Sequence, residues 1–247
     1  EAFRLDSAAY LFKCPGTGCV NLPENHSLLQ ALRATVDIVA PSVLLKAEAI
    51  MPMRALPPYF GTDAAAGQEC HLAYHSSLMA GAWAALACER GDIVGDIIAR
   101  TPALPENCAW IDYVRCHDDI GWQVLREEAD AAHGFDLDFV AQFFAGRTPG
   151  SYAHGAAFQS GAGHATHGSN GMTAALAGFA PSPADAEART LALRRLLLLQ
   201  GLALSASGVP LIYMGDTVGA RTLLEEVANG REPELARLAR EKLDELG

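Results

Sequence analysis

Acidic residues follow three short apolar stretches that lie far apart in the sequence. Asp6 ends "AFRLD", Glu48 ends "VLLKAE", and Asp118 and Asp119 come after "WIDYVRC" and His117. Cleavage of a glycosidic bond with retention of configuration needs such a set. One ionised carboxylate attacks the anomeric carbon, while a protonated carboxylic acid about 5 to 5.5 Å away protonates the leaving group. A third carboxylate stabilises the positive charge on the sugar, so the residue types indicate glycoside chemistry.

The residues beside these acids fit the same chemistry. Arg4 is two positions before Asp6, so in an extended strand both side chains lie on one face, where the cation favours ionised Asp6. His117 can donate a hydrogen bond to a sugar hydroxyl, and Tyr10 and Trp122 offer flat faces to a sugar ring. Acids gathered at one site repel one another, so we expect at least one to have a raised pKa and to stay protonated.

Each of these residues also has a simpler interpretation when it is taken alone. A single acid at a strand end more often caps a helix or forms a turn, and a Trp there usually packs in the core. The pairs His71 with His75 and His164 with His167 have spacings compatible with metal ligation, but no third ligand accompanies them, so we predict no metal site. Cys116 suggests a thiol nucleophile, although alternation along a strand turns its side chain away from the neighbouring histidine and into the core.

Short β-type stretches alternate with longer helical ones, which is typical of βαβ units around a parallel sheet. The predicted strands are residues 2–6, 43–48, 70–74, 110–116 and 209–214, and the clearest helices are residues 23–39 and 183–206. In a parallel barrel the carboxyl ends of all strands meet on one rim, so acids distant in sequence converge there. The Gly- and Ser-rich stretch from 150 to 171 is interpreted as an excursion over one face, outside the core.

The size and charge of the chain limit its architecture and its partners. Its 247 residues, half of them hydrophobic, fit one α/β domain of the (β/α)8 barrel type, which usually has eight strands. Either three strands escape detection or the chain is the later part of a barrel.

The net charge of −11 argues against nucleic acid or an anionic membrane as a partner, and no apolar run is long enough to span a bilayer.

The first residues and the cysteines bear on the location of the protein. "EAFRLDSAAY" has no initiating Met and no basic segment of a signal peptide, so we expect the chain to begin inside a longer protein. The six cysteines stand at irregular spacings in a chain large enough to fold without disulfides. We therefore expect reduced thiols and a cytoplasmic protein.

Several segments resemble the hallmark segments of one enzyme family, and they occur in the same order. "FRLD", "KAEAI" and "VRCHDDIGW" resemble the segments at the fourth, fifth and seventh barrel strands of the α-amylase superfamily, glycoside hydrolase family 13. "NLPENHSLLQALR", "ECHLAYHSSLMAGAW" and "VPLIYMGDTVG" are similar to its amylosucrase branch. The resemblance covers about residues 1–219 and implies strands four to eight of a TIM barrel, with an insertion at about 124–179. Residues 220–247 do not match and are predicted to form a divergent helical tail.

The resemblance also implies roles for the acidic residues. Asp6 would be the nucleophile that forms a covalent glucosyl intermediate, Glu48 the general acid/base and Asp118 the transition-state stabiliser. The implied substrate-binding residues are Arg4, His117 and Asp119. The implied activity is cleavage of sucrose and transfer of its glucosyl unit to an α-glucan, without a cofactor. Two alternatives stay open: a sucrose or α-glucan hydrolase of the same superfamily, and an inactive fragment.

Overall fold

A five-stranded parallel sheet forms the centre of the protein. The computed structural model describes residues 1–131, 134–158, 168–179 and 186–214, together with residues 216, 237 and 240. Its strands are β1 (Ala2–Leu5), β2 (Leu44–Ala47), β3 (Leu72–Tyr74), β4 (Ala109–Tyr113), β5 (Ile120–Gly121), β6 (Ala156–Phe158), β7 (Gly168–Asn170) and β8 (Val209–Leu211). The parallel sheet has the order β1-β2-β3-β4-β8. All five predicted strands are therefore confirmed, and each is shorter than predicted.

Helices connect the strands of the parallel sheet. They are α1 (Pro23–Val39), α2 (Ser76–Cys88), α3 (Asp92–Arg100), α4 (Arg126–Ala129), α5 (Leu137–Phe144), α6 (Thr173–Leu176) and α7 (Ala186–Ser205). Helix α1 has the predicted bounds: Pro23 occupies its first turn, where a missing N–H costs no hydrogen bond, and the chain leaves the helix before Pro41. None of the described helices has both the length and the apolar composition that crossing a membrane requires.

The ends of the parallel sheet bear on the predicted barrel. Strand β1 lies at one end of the strand order and β8 at the other, and the described residues add no sixth strand to this sheet. The α/β architecture with parallel strands is as predicted. Closure into a barrel and the numbering of these strands as four to eight stay predictions. The helical tail at 220–247 also stays a prediction, because its residues are outside the described ranges apart from two isolated positions.

Two strands in the segment predicted as an insertion, β6 and β7, form a small sheet with β5, which precedes that segment. Strands β5, β7 and β6 pair antiparallel in that order. Ser169 in β7 is fully buried, and its hydroxyl accepts a hydrogen bond from Trp122 Nε1 and donates one to the carbonyl of Ala141. The prediction that this Gly- and Ser-rich stretch stays outside the core is therefore wrong at Ser169, because small residues let the strand pack closely on its neighbours.

The largest core cluster holds the loop that follows β4. Trp83 of α2 is fully buried, its ring meets Phe144 edge-on with centroids 5.4 Å apart, and its Nε1 donates a hydrogen bond of 3.0 Å to the carbonyl of Val114. Val114 is the first residue after β4, so this contact anchors the start of the loop that contains His117 and Asp118.

We expect Trp83→Phe to lower the free energy of unfolding by about 1–3 kcal/mol, because the buried Val114 carbonyl loses its donor. Urea denaturation at pH 7 measures the change. Phe139→Leu is the control, since the Phe139 ring is 37% exposed, and it should cost less. An unchanged midpoint for Trp83→Phe would show that the Val114 carbonyl does not depend on this donor.

Candidate active site

The register of the sheet places two of the predicted acids side by side. Strands β1 and β2 pair in parallel with Leu5 opposite Ala47. Asp6 and Glu48 are the next residues along each strand, so both follow the carboxyl ends of neighbouring strands. The backbone continues this pairing beyond the strands, because Glu48 N donates to the Leu5 carbonyl at 3.0 Å. In a parallel α/β fold this edge of the sheet is where ligands bind.

Arg4 contacts all three predicted catalytic carboxylates. Its Nη1 is 2.5 Å from Asp6 Oδ1, and its Nη2 is 3.8 Å from Glu48 Oε1 and 3.6 Å from Asp118 Oδ2. Burial lowers the pKa of Arg4, but the negative charges of Glu48, Asp6 and Asp118 outweigh this effect and raise it. The guanidinium therefore stays charged and gathers acids from three parts of the chain at one point.

Glu48 is the most enclosed of the three acids. Its side chain is 14% exposed, compared with 71% for Asp6 and 41% for Asp118. The backbone N–H of Ser7 donates to Glu48 Oε2 at 2.6 Å, and the N–H of Ala8 donates to the Glu48 carbonyl at 2.9 Å. The turn after β1 thus fixes Glu48 and leaves its other oxygen, Oε1, facing Arg4.

A loop, and not a strand end, holds His117 and Asp118. Strand β4 ends at Tyr113, three residues earlier than predicted. Buried Arg115 fixes the loop, because its Nη2 donates to the Asp118 carbonyl at 2.5 Å and its Nε to the Gly171 carbonyl at 3.0 Å. His117 Nε2 lies 3.3 Å from Asp118 Oδ1. The positioning role of Arg115 was missed from sequence, although an arginine within an apolar stretch is a usable signal for a buried cation with carbonyl partners.

Asp119 occupies a different environment from its neighbour. Burial is the main cause that raises its pKa, and the charge of Asp118 adds to the effect. Its Oδ2 lies against the backbone of Gly168 in β7, where a Cβ would come within 2.8 Å of that oxygen. A raised pKa among the clustered acids was predicted, and it occurs at Asp119. The main reason is burial and not the mutual repulsion that was expected.

The two aromatic residues predicted to face a sugar differ in exposure. Tyr10, in the turn after β1, is 49% exposed. Trp122 is fully buried and stacks on Phe144 with ring centroids 5.5 Å apart, so its prediction as a sugar platform is wrong. The competing interpretation, a packing residue, is the one the structure supports. Cys116 is buried in the core cluster, as predicted, but it lies in the loop after β4 and not on a strand, and its Sγ lies on the same side as Asp118 Oδ2, 3.9 Å away.

His71 and His75 accept hydrogen bonds from backbone N–H groups. His71 Nδ1 accepts a hydrogen bond from Leu45 N, and His75 Nδ1 accepts one from Leu78 N at the start of α2. Burial lowers the pKa of His75 to about 4, so that ring is neutral at physiological pH. His164 and His167 are outside the described residues.

We expect Asp119→Asn to raise the urea midpoint at pH 7. The pKa of Asp119 is higher in the folded protein than its unfolded value of about 3.9. Ionisation of Asp119 at neutral pH therefore lowers the free energy of unfolding, and an amide at this position does not ionise. The advantage should shrink as the pH falls through the folded pKa and vanish below about pH 4. Exposed Glu106→Gln, before β4, is the control with little expected change. A gain that persists at pH 3 would contradict this cause.

Similar proteins are known for parts of this chain. No protein-family model matches it. A stretch of 128 residues is 38% identical to "Trehalose synthase/amylase TreS" of Mycobacterium tuberculosis, which covers 52% of this chain and 21% of that protein. The trehalose synthase of Thermus thermophilus is 28% identical over 220 residues, 89% of this chain and 19% of that one. Glucosylglycerate phosphorylase of Escherichia coli is 29% identical over 126 residues, 51% of this chain and 22% of that protein.

A solved structure resembles the fold of the chain. It is the sucrose 6F-phosphate phosphorylase from Thermoanaerobacter thermosaccharolyticum, with a TM-score of 0.59, 15% sequence identity and coverage of 90% of this chain and 38% of that one. That enzyme is a TIM barrel, and the similarity concerns the fold alone. The chain spans about a fifth of the length of the first curated relatives, 21% in TreS. These relatives are members of glycoside hydrolase family 13, so the chain is related, over part of its length, to α-amylase-family enzymes.

Proposed function

We propose that this chain contains the centre of a retaining α-glucosyl transferase that takes its glucosyl unit from sucrose and passes it to an α-glucan, as amylosucrases do. The observation that supports the proposal most directly is the contact of Asp6, Glu48 and Asp118 with one guanidinium, that of Arg4. Carboxylates from separate segments at the carboxyl edge of a parallel sheet are the groups that retaining glycosyl chemistry requires.

Asp6 is suited to act as the nucleophile. It is the most exposed of the three acids, so a sugar can reach it, and Arg4 Nη1 holds its Oδ1 at 2.5 Å. Attack of an Asp6 oxygen on the anomeric carbon breaks the bond to the fructosyl oxygen and forms a glucosyl ester with inverted configuration. A second attack at the same carbon restores the configuration and frees Asp6.

Glu48 is suited to act as the acid and then the base. In its protonated form it gives a proton to the departing fructosyl oxygen, and as a carboxylate it takes a proton from the incoming hydroxyl. The Ser7 N–H and the contact with Arg4 hold the side chain in one place for both steps. The charge of Asp118 offsets the positive charge on the sugar ring in each transition state, and His117 and Arg4 are the proposed ligands of sugar hydroxyls.

A second candidate function differs in its glucosyl donor and acceptor. Trehalose synthases are 38% identical to half of this chain, which favours formation of trehalose from another α-glucoside through the same intermediate. A hydrolase of the superfamily differs only in that water attacks the intermediate. The chain spans a fraction of these relatives, so the activity of the whole enzyme is also part of the proposal.

Incubation of the purified chain with sucrose, and separately with maltose, separates these functions. Free fructose with an iodine-staining glucan supports the amylosucrase-type function. Equal amounts of glucose and fructose identify a hydrolase, and trehalose formed from maltose identifies the second candidate. No turnover of either sugar would favour the inactive fragment and contradict the proposed function of this chain.

We expect Glu48→Gln to lower sucrose turnover by roughly 10²- to 10⁴-fold, because proton transfer in both steps is lost. With α-glucosyl fluoride, whose leaving group needs no proton, this variant should accumulate one glucosyl unit on the peptide that contains Asp6, as seen by mass spectrometry. Asp6→Asn should form no such adduct. Glu106→Gln, which lies before β4 and so at the opposite edge of the sheet, should behave as the wild type. An adduct on any other residue would refute the assignment of Asp6.

A further inference from the structure

Three different metal-ligand atoms meet in the loop after β4. Cys116 Sγ lies 3.9 Å from Asp118 Oδ2, and His117 Nε2 lies 3.3 Å from Asp118 Oδ1. One ligand atom from each of the three residues falls within 4.8 Å of the other two. This combination of thiol, imidazole and carboxylate is distinct from the histidine pairs considered from sequence.

These separations match those around a tetrahedral zinc ion. Zinc binds thiolate sulfur at about 2.3 Å and imidazole nitrogen or carboxylate oxygen at about 2.0–2.2 Å, which places neighbouring ligand atoms roughly 3.3–3.7 Å apart. His117 Nε2 is 3.3 Å from Asp118 Oδ1 and Cys116 Sγ is 3.9 Å from Asp118 Oδ2, and one ligand atom of each residue lies within 4.8 Å of the other two, so rotation of the side chains brings all three into this range. The three residues leave the fourth position to water, since the side chains of His117 and Asp118 are 53% and 41% exposed.

The loop is already fixed by contacts that do not use the ligand atoms. Arg115 donates to the backbone carbonyl of Asp118, and Trp83 donates to the backbone carbonyl of Val114, so neither contact uses a side-chain ligand atom. A cation therefore meets ligands whose backbone is ordered, so binding requires little further ordering of the chain.

The charges around the loop accommodate a further cation. Arg4 opposes it, because Arg4 Nη2 is 3.6 Å from Asp118 Oδ2. Asp6 and Glu48 also face Arg4 and can take over its charge when Asp118 turns to a metal. Binding converts the Cys116 thiol to a thiolate and releases one proton to solvent, which adds a negative ligand and makes the affinity rise with pH.

We propose that Cys116, His117 and Asp118 form a Zn²⁺ site with three protein ligands and one water. Bound zinc occupies His117 and Asp118, and so it reversibly blocks the sugar site. Only this inhibitory effect rests on the proposed function, while binding itself does not. Cys116, which has no role in glucosyl transfer, thereby makes the site sensitive to a thiol-seeking metal.

Titration of the reduced protein with Zn²⁺, followed by calorimetry and by competition with a chromophoric chelator, tests the site. Cys14 and Cys19 also lie close together, with Cys19 Sγ 3.4 Å from the Cys14 carbonyl, so the test compares variants instead of counting total zinc. We expect Cys116→Ser to weaken one equivalent of zinc binding at least tenfold relative to the wild type. Cys88→Ser, at the end of α2, is the matched control and should bind as the wild type.

Two further measurements make the result independent of any one variant. Co²⁺ in place of zinc should give a sulfur-to-cobalt absorption band in the wild type and in Cys88→Ser, and the band should be weakened in Cys116→Ser. Asp118→Asn should also weaken metal binding, and it tests the site if Cys116→Ser does not fold. Wild-type affinity and an unchanged cobalt band in Cys116→Ser would overturn the proposal.

Sucrose turnover separates this proposal from the proposed function. Micromolar zinc should inhibit the wild type and Cys88→Ser, chelator should restore activity, and Cys116→Ser should keep its activity in the same zinc. If the chain binds zinc through Cys116 but turns over no α-glucoside, the metal-site proposal stands and the proposed function fails. If the chain turns over sucrose but binds zinc equally well without Cys116, the proposed function stands and the metal-site proposal fails.

Discussion

The charge of Arg4 is the interaction on which the candidate site depends. Two like charges 4 Å apart near a protein surface repel by about 4 kcal/mol at an effective dielectric constant of 20. Asp6, Glu48 and Asp118 each have an oxygen within 3.8 Å of an Arg4 nitrogen, so the guanidinium offsets their mutual repulsion and connects the turn after β1 with the loop after β4. The cation stabilises the cluster of acids. Arg4 lies in β1, and Asp6 directly follows that strand.

The fold and part of the site followed from sequence because both depend on short-range patterns. Apolar stretches bounded by turn residues predicted the five parallel strands, and the bounds of α1 followed from its helical spacing and from Pro41. Acids at strand ends predicted the cluster, since the carboxyl ends of parallel strands must share one edge. The pairing of Arg4 with Asp6 was also predicted, whereas its contacts with Glu48 and Asp118 were not.

The remaining features depend on contacts between distant segments, which a local pattern does not contain. The burial of Trp122 results from Phe144 and Ser169, both of which lie in the segment predicted as an insertion. Strand β4 ends at Tyr113, and the Arg115 side chain that follows it donates to the carbonyl of Gly171, more than fifty residues later. In each case contacts between distant segments decided the outcome, and for Trp122 they favour the packing role that is the more common one for such a residue.

The geometry of the site limits what the relatives can tell about the reaction. In the proposed function, Asp6, Glu48, Asp118 and Arg4 act on the glucosyl unit and the bond to its leaving group, which is the step common to transfer, hydrolysis and formation of a different disaccharide. The proteins that match parts of this chain have names that state different activities, trehalose synthase and glucosylglycerate phosphorylase. For this chain, the acceptor must be decided by products and not by the carboxylates.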